Sequence, residues 1–209
     1  MLEKVNFNPD NDRLISLGDI VHKGPKSAKV IEFFYNGGHE VLLGNHDEHF
    51  LRFLRGERKA YGEGERILAK LEIPKKKLIE WMESFPYFID DPDFIAVHAS
   101  FDPSKEHFSE TEPVDMISSR YYNTKTREMI SNKKNPAHPL KPWYHAYPSE
   151  KLNNKITIFG HWAQPLPRAF RNYRCLDTGC CYGGHLTCLI LPEDKIVKVR
   201  SLQKRKFNY

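Results

Sequence analysis

Four short apolar runs in this chain each end on a polar stretch. Leu14-Ile15-Ser16-Leu17 runs into Gly18-Asp19, and Val41-Leu42-Leu43 runs into Gly44-Asn45-His46-Asp47. Phe94-Ile95-Ala96-Val97 runs into His98, and Ile156-Thr157-Ile158-Phe159 runs into Gly160-His161. Short apolar runs bounded by glycine and polar residues read as buried strands. Each such strand delivers an Asp, Asn or His at its carboxyl end, where open α/β sheets keep their ligand sites. Four oxygen and nitrogen ligands in this order point to a metal centre.

The pattern between the runs predicts the remaining elements. Met1 to Asn8 reads as the end of a helix, followed by a turn over Asn8-Pro9-Asp10-Asn11-Asp12. A strand is expected over 13–18, an amphipathic helix over 26–36 stopped by Gly37-Gly38, and a strand over 40–43. That is a βαβ unit, whose crossover brings Asp19 and Asn45 to one edge. Residues 48–84 read as helical and charged, with Pro74 in the first turn of a helix bearing Lys75-Lys76-Lys77 on a solvated face. Strands 87–90 and 94–98 read as a hairpin. The stretch 102–154, rich in proline (Pro103, Pro113, Pro136, Pro139, Pro142, Pro148), reads as loop with one short helix near 113–119; so long a loop is usually functional. Strands near 156–160, 173–176, 185–191 and 196–201 are expected to form a second, largely antiparallel sheet.

Composition narrows the class. A chain of 209 residues with 40% hydrophobic residues can bury one sizeable core, so a single domain over 1–209 is expected. No apolar run approaches membrane-spanning length and the N-terminus has no signal-peptide core, which reads as a soluble, cytoplasmic protein without a membrane partner. Cys175, Cys180, Cys181 and Cys188 lack structural zinc spacing and read as small buried thiols. A net charge of +5 suits anionic substrates such as phosphates but is no strong nucleic-acid signal. The tail Lys204-Arg205-Lys206 reads as exposed.

Asp19, Asn45, His98 and His161 stand 26, 53 and 63 residues apart in succession, so only a fold converging at one edge could unite them. Mixed carboxylate, amide and imidazole donors suit Mn, Fe, Co, Ni or Zn better than Ca or Mg. An Asp carboxylate such as that of Asp19 can bridge two such ions. His46 stands beside Asn45, where it could protonate a leaving alcohol or phosphate. Lys23 could hold a phosphate oxygen as a point charge, and Arg120 could offer a bidentate fork or be an exposed helix end. Asp47 and Glu48 read as helix-start carboxylates favoured by the dipole, and Asp177 as a turn-former before Thr178-Gly179. His22, His39, His49, His107, His138, His145 and His185 read as surface or packing residues.

Gly18-Asp19-Ile20-Val21-His22-Lys23-Gly24-Pro25, Gly44-Asn45-His46-Asp47, Val97-His98-Ala99 and Phe159-Gly160-His161-Trp162 together resemble the calcineurin-like metallophosphoesterases. Within them the chain is similar to the phosphoprotein-phosphatase branch that holds the bacterial symmetrical diadenosine tetraphosphatases. Pro142-Trp143-Tyr144 and the late segment Leu176-Asp177-Thr178-Gly179-Cys180-Cys181-Tyr182-Gly183-Gly184 fit the same branch. The resemblance implies an α/β/β/α four-layer sandwich of two mixed β-sheets. It implies metal ligands at Asp19 (bridging), Asn45, His98 and His161, with His46 as general acid. It further implies phosphate contacts from Lys23, Asn45 and Arg120, and two divalent ions (Mn, Co, Fe or Zn) in an intact enzyme.

Two departures qualify what the resemblance implies. His22-Lys23 stands where many members carry Asp-Arg, which keeps the cation but loses its planar fork. Members open with a strand ending in Asp-x-His-Gly, and residues 1–17 supply none. The first strand is therefore expected to be missing and the first metal site to be incomplete. The function that follows is a metal-dependent phosphohydrolase acting on dinucleoside polyphosphates such as diadenosine tetraphosphate by metal-activated hydroxide. A serine/threonine or tyrosine phosphoprotein phosphatase is the alternative within the class, and a non-catalytic phosphate-binding or interaction module the alternative outside it.

Overall fold

The structure, a computed structural model, describes residues 1–131 and 138–204. Pro136 of the proline-rich stretch, and Arg205 and Lys206 of the basic tail, lie outside the described residues. The chain clusters into two compact units, residues 8–87 and residues 1–7 with Phe88 onward. Among the described residues no helix is long and apolar enough to cross a membrane.

Residues 8–87 begin with the expected turn, closed by Asp12 N donating to Asn8 O at 2.7 Å. Strand β1 (Ile15–Ser16), helix α1 (Ser27–Gly37) and strand β2 (Glu40–Val41) then form the βαβ unit. The strands are parallel, with Ile15 opposite Glu40. Each is shorter than its apolar run. Gly18 (φ 94°) and Asp19 (φ 56°) turn the chain left-handed after β1, and Leu43 N leaves the ladder for Pro86 O at 2.9 Å. Helix α1 buries Ala28 and Ile31 and stops at Gly38, which takes the left-handed conformation (φ 62°) that favours glycine. Three more helices follow: α2 (Asn45–Leu54), α3 (Gly64–Leu68) and α4 (Lys75–Glu83). Pro74 is the cap residue of α4 rather than its first turn, and the three lysines after it are exposed as expected.

The turn from β2 into α2 is closely packed. Gly44 caps α2, and a Cβ at this position would meet Asp19 Oδ1 and lie 2.5 Å from Asp19 N and 2.9 Å from Asp47 Oδ2. Glycine is required here for close approach, since its φ of −95° is open to any residue.

The other unit opens with a one-turn 3-10 helix, Leu2–Val5, in place of the helix end expected before Asn8. It continues as hairpin β3 (Phe88–Asp90) and β4 (Phe94–Val97), helix α5 (Pro113–Ser118), and strands β5 (Tyr121–Asn123), β6 (Glu128–Ile130) and β7 (Leu140–Pro142). Helix α6 (Trp143–Ala146) and strands β8 (Ile156–Phe159), β9 (Arg168–Phe170), β10 (Tyr173–Cys175), β11 (His185–Ile190) and β12 (Lys195–Arg200) complete it. The stretch expected as loop thus carries a three-stranded antiparallel sheet, β6-β5-β7. Its three-residue strands are too short to show a period.

The strands from 156 onward do not form one antiparallel sheet. β8 and β10 are parallel and lie in a five-stranded sheet ordered β3-β4-β8-β10-β9, while β11 and β12 form a separate hairpin. Burial accounts for the difference. β4 is buried throughout and β8 over its last three residues, as strands covered on both faces are. β11 and β12 contain no buried residue. The mixed α/β class holds.

The core of this unit is aromatic. Trp143, entirely shielded from solvent, meets Phe101, Tyr147, Phe159 and Tyr173 edge-on at ring-centroid distances of 5.1–6.2 Å. Edge-on pairing lets the positive rim of one ring face the negative face of another. The Tyr173 hydroxyl donates to Tyr147 O at 3.0 Å. Of the four cysteines, Cys175 is buried and the others are half-buried.

Two outcomes follow from this packing. Burial pushes the phenols of Tyr147 and Tyr173 above their ordinary 10.0, and the Cys175 thiol from 9.0 up to about 12. A raised acid holds its proton more tightly in the folded chain. Its contribution is therefore whole below the unfolded value and lost as pH rises through the folded one. The urea midpoint should stay level up to pH 9.0 and fall towards pH 12; a level midpoint across that span would contradict the assignment. Gly44→Ala should cost about 1–3 kcal/mol in urea unfolding through overpacking, and a midpoint equal to that of the unsubstituted protein would show that the junction yields freely.

Candidate active site

In residues 8–87 the site grows from the junction between the β1 loop and the start of α2. Asp47 is shielded entirely from solvent, and its Oδ2 accepts from Asp19 N at 2.6 Å and from Gly44 N at 3.0 Å. Asp19 Oδ1 in turn accepts from His46 N at 2.9 Å. Asp19, Asn45 and His46 are thereby brought together, with Asn45 as the first residue of α2. Burial, reinforced by the charge of Asp19, pushes the Asp47 carboxyl well above the usual carboxylate range, while the backbone N–H groups of Gly44, Asp19 and Val21 pull it down. Asp47 is more than the dipole-favoured residue the sequence indicated. Its place three residues after the cap was the available signal, since acidic side chains there reach back to the cap N–H.

His46 is buried, and its Nδ1 lies 3.2 Å from Nδ1 of His22. Only one proton fits between two such nitrogens. Burial holds His46 down at about 4 and lowers His22 as well. The Asp19 charge opposes both shifts, and Lys23 assists them. His22 is therefore the partner of His46, beyond the general packing role read from the sequence. His49 lies beyond His46, its Nδ1 2.7 Å from Arg58 Nη1. A guanidinium only donates, so His49 accepts there, with Glu48 Oε2 3.1 Å from the same nitrogen. Lys23 is exposed. Asp19, His22 and Lys23 all have positive φ (56°, 64° and 58°), a conformation that costs about 1–3 kcal/mol for a residue other than glycine.

In the other unit the parallel register of β4 and β8 sets Val97 opposite Phe159, and Gly160 N donates to His98 O at 2.9 Å. His98 and His161, the next side chains, stand with ring centroids 5.2 Å apart at 64°. His98 is buried and His161 half-buried, with its backbone left-handed (φ 62°). Arg120 leaves α5 half-buried and donates from Nη2 to His161 O at 3.3 Å, so it is not an exposed helix end. Asp177 forms the expected turn, its Oδ1 accepting from Gly179 N at 2.9 Å. The structure thus gathers the sequence candidates as two sets: Asp19, Lys23, Asn45 and His46 in one unit, and His98, Arg120 and His161 in the other.

Two imidazoles side by side at strand ends are borderline-metal donors. A loop carboxylate fixed by backbone N–H groups beside a buried imidazole offers a further donor and a proton carrier. Comparison with known proteins agrees with this chemistry. The chain is 28% identical to a symmetrical bis(5'-nucleosyl)-tetraphosphatase of Shewanella oneidensis, over 98% of this chain and 93% of that protein. A protein of the same name from Salmonella paratyphi C is 30% identical, over 90% and 84%. A crystal structure provisionally named a diadenosine tetraphosphatase superposes with a TM-score of 0.81 at 24% identity, covering 97% of this chain and 86% of that one. A metallophosphoesterase from Sphaerobacter thermophilus superposes at 0.56 and 15% identity. The calcineurin-like phosphoesterase family model matches residues 1–186, and the chain belongs to that family of metal-dependent phosphoester hydrolases.

Proposed function

We propose that the chain hydrolyses dinucleoside polyphosphates, the substrate class in its relatives' names, at a divalent-metal centre. In this proposal Asp19, Asn45, His98 and His161 are the ligands of one divalent ion. The observation that carries it is the imidazole pair of His98 and His161 at the ends of adjacent parallel strands. Carboxylate, amide and imidazole donors together fit Mn, Co, Fe or Zn, and Mn is the proposed activator. A bound ion supplies a hydroxide nucleophile near neutral pH and offsets charge on the phosphoryl oxygens. Four cysteines kept as thiols accord with a reducing cytoplasmic setting.

The chain's own groups divide the remaining work. Lys23 is proposed to hold one phosphate oxygen as a point charge, and Arg120, braced on His161 O, to hold another. Asn45 is the proposed third phosphate contact. His46 is the proposed proton donor to the leaving oxygen. Its pKa, held low by burial, means that a proton taken up at this ring passes on readily.

Purified protein with Mn and diadenosine tetraphosphate should release ADP, followed by chromatography; no hydrolysis of this substrate or of p-nitrophenyl phosphate would overturn the reading. His46→Asn should lower kcat by about 10²–10⁴ while bound metal is retained. The four ligands are proposed to fill one site, so elemental analysis after dialysis should find a single tightly held ion per chain. His98→Ala should lose it, and two retained ions would refute the single-site assignment.

A further inference from the structure

The imidazole cluster of residues 8–87 has one wet member. Tyr61 is 45% exposed, whereas His22 and His46 are 6% and 5% exposed. The Tyr61 ring nonetheless lies 5.4 Å from the His22 ring, 5.6 Å from His46 and 5.7 Å from His49. One side of a large amphipathic ring is therefore set against the proposed proton donor while nearly half of its surface stays open to water. It comes from the loop before α3, which also contributes Arg58, anchored on His49. The exposed Lys23 is close enough for its charge to bear on both His22 and His46. An open aromatic surface among cations beside a phosphoryl site is the combination that holds nucleotides, because every base offers a π-face and every phosphate a charge.

We propose that Tyr61 stacks against a nucleobase of the substrate and so determines specificity for nucleotides over other phosphorylated compounds. The inference rests on the phosphohydrolase reading and deepens it. The base belongs to the nucleotide on the leaving side, where His46 delivers its proton. Phosphoserine, phosphothreonine or an inorganic polyphosphate presents no ring and gains nothing from Tyr61.

The test compares Tyr61→Ala and Tyr61→Phe on diadenosine tetraphosphate and on inorganic tripolyphosphate, which has no base. Tyr61→Ala should raise KM for the dinucleotide by about 5–150-fold, leave tripolyphosphate hydrolysis unchanged, and be rescued by Tyr61→Phe. An equal fall in kcat on both substrates would overturn the inference, since it would mean that the ring only props His46. No change on either substrate would overturn it as well. Calorimetry separates this from the parent reading. Should the unsubstituted protein hydrolyse neither compound, the hydrolase proposal falls, while weaker ADP binding in Tyr61→Ala with inorganic diphosphate binding unaltered would still support the stack. Equal ADP binding would refute it.

Discussion

One buried carboxylate holds together the candidate cluster within residues 8–87. Asp47 Oδ2 accepts from the backbone of Gly44, which caps α2, and from the backbone of Asp19, in the loop that follows β1. Two chain segments 25 residues apart in sequence are thus pinned to a single oxygen. The orientation of Asp19, the position of His46 N against it, and the exclusion of any Cβ at Gly44 all follow from that arrangement. A carboxylate can do this because it has several lone-pair sites and no donor of its own when ionised. Its burial raises its proton affinity, and the backbone N–H groups resist that rise.

The imidazole pair of the other unit depends on register rather than on a polar hub. β4 and β8 run parallel, so their carboxyl ends fall side by side and the residues that follow are neighbours. A slip of one residue would carry Phe159 to the opposite face of the sheet, and its edge-on packing on Trp143 opposes that. The core that stabilises the fold is thereby also what aligns His98 with His161.

The fold class was legible because strand ends announce themselves. An apolar run closing on Gly-Asp, Gly-Asn-His or His needs no tertiary information, and all four runs proved to be extended or to border a ladder. The βαβ unit, the 88–97 hairpin and helix α5 followed from the same signals. Pairing was less legible, because the sequences of β8 and β10 state that they are buried but not which neighbours they take. The sheet β6-β5-β7 was invisible, since three-residue strands have no period. Within the site, His22 and Asp47 were undervalued for a common reason. Their roles lie in what they touch across 24 and 28 residues of chain, His46 for one and Asp19 for the other, and single-sequence patterns report only local spacing.

The left-handed backbone at Asp19, His22, Lys23 and His161 has a consequence for how such a chain would drift. At each of these positions glycine would adopt the same conformation with the least strain. A lineage released from its chemistry would gain stability by accepting glycine there, one position at a time. A side chain that persists in such a conformation is a standing cost to folding, and Arg127, Arg171 and Asp194 carry it too, outside the candidate site. At the four candidate positions that cost falls on a carboxylate, two imidazoles and an ammonium group, the group types that the proposed chemistry uses.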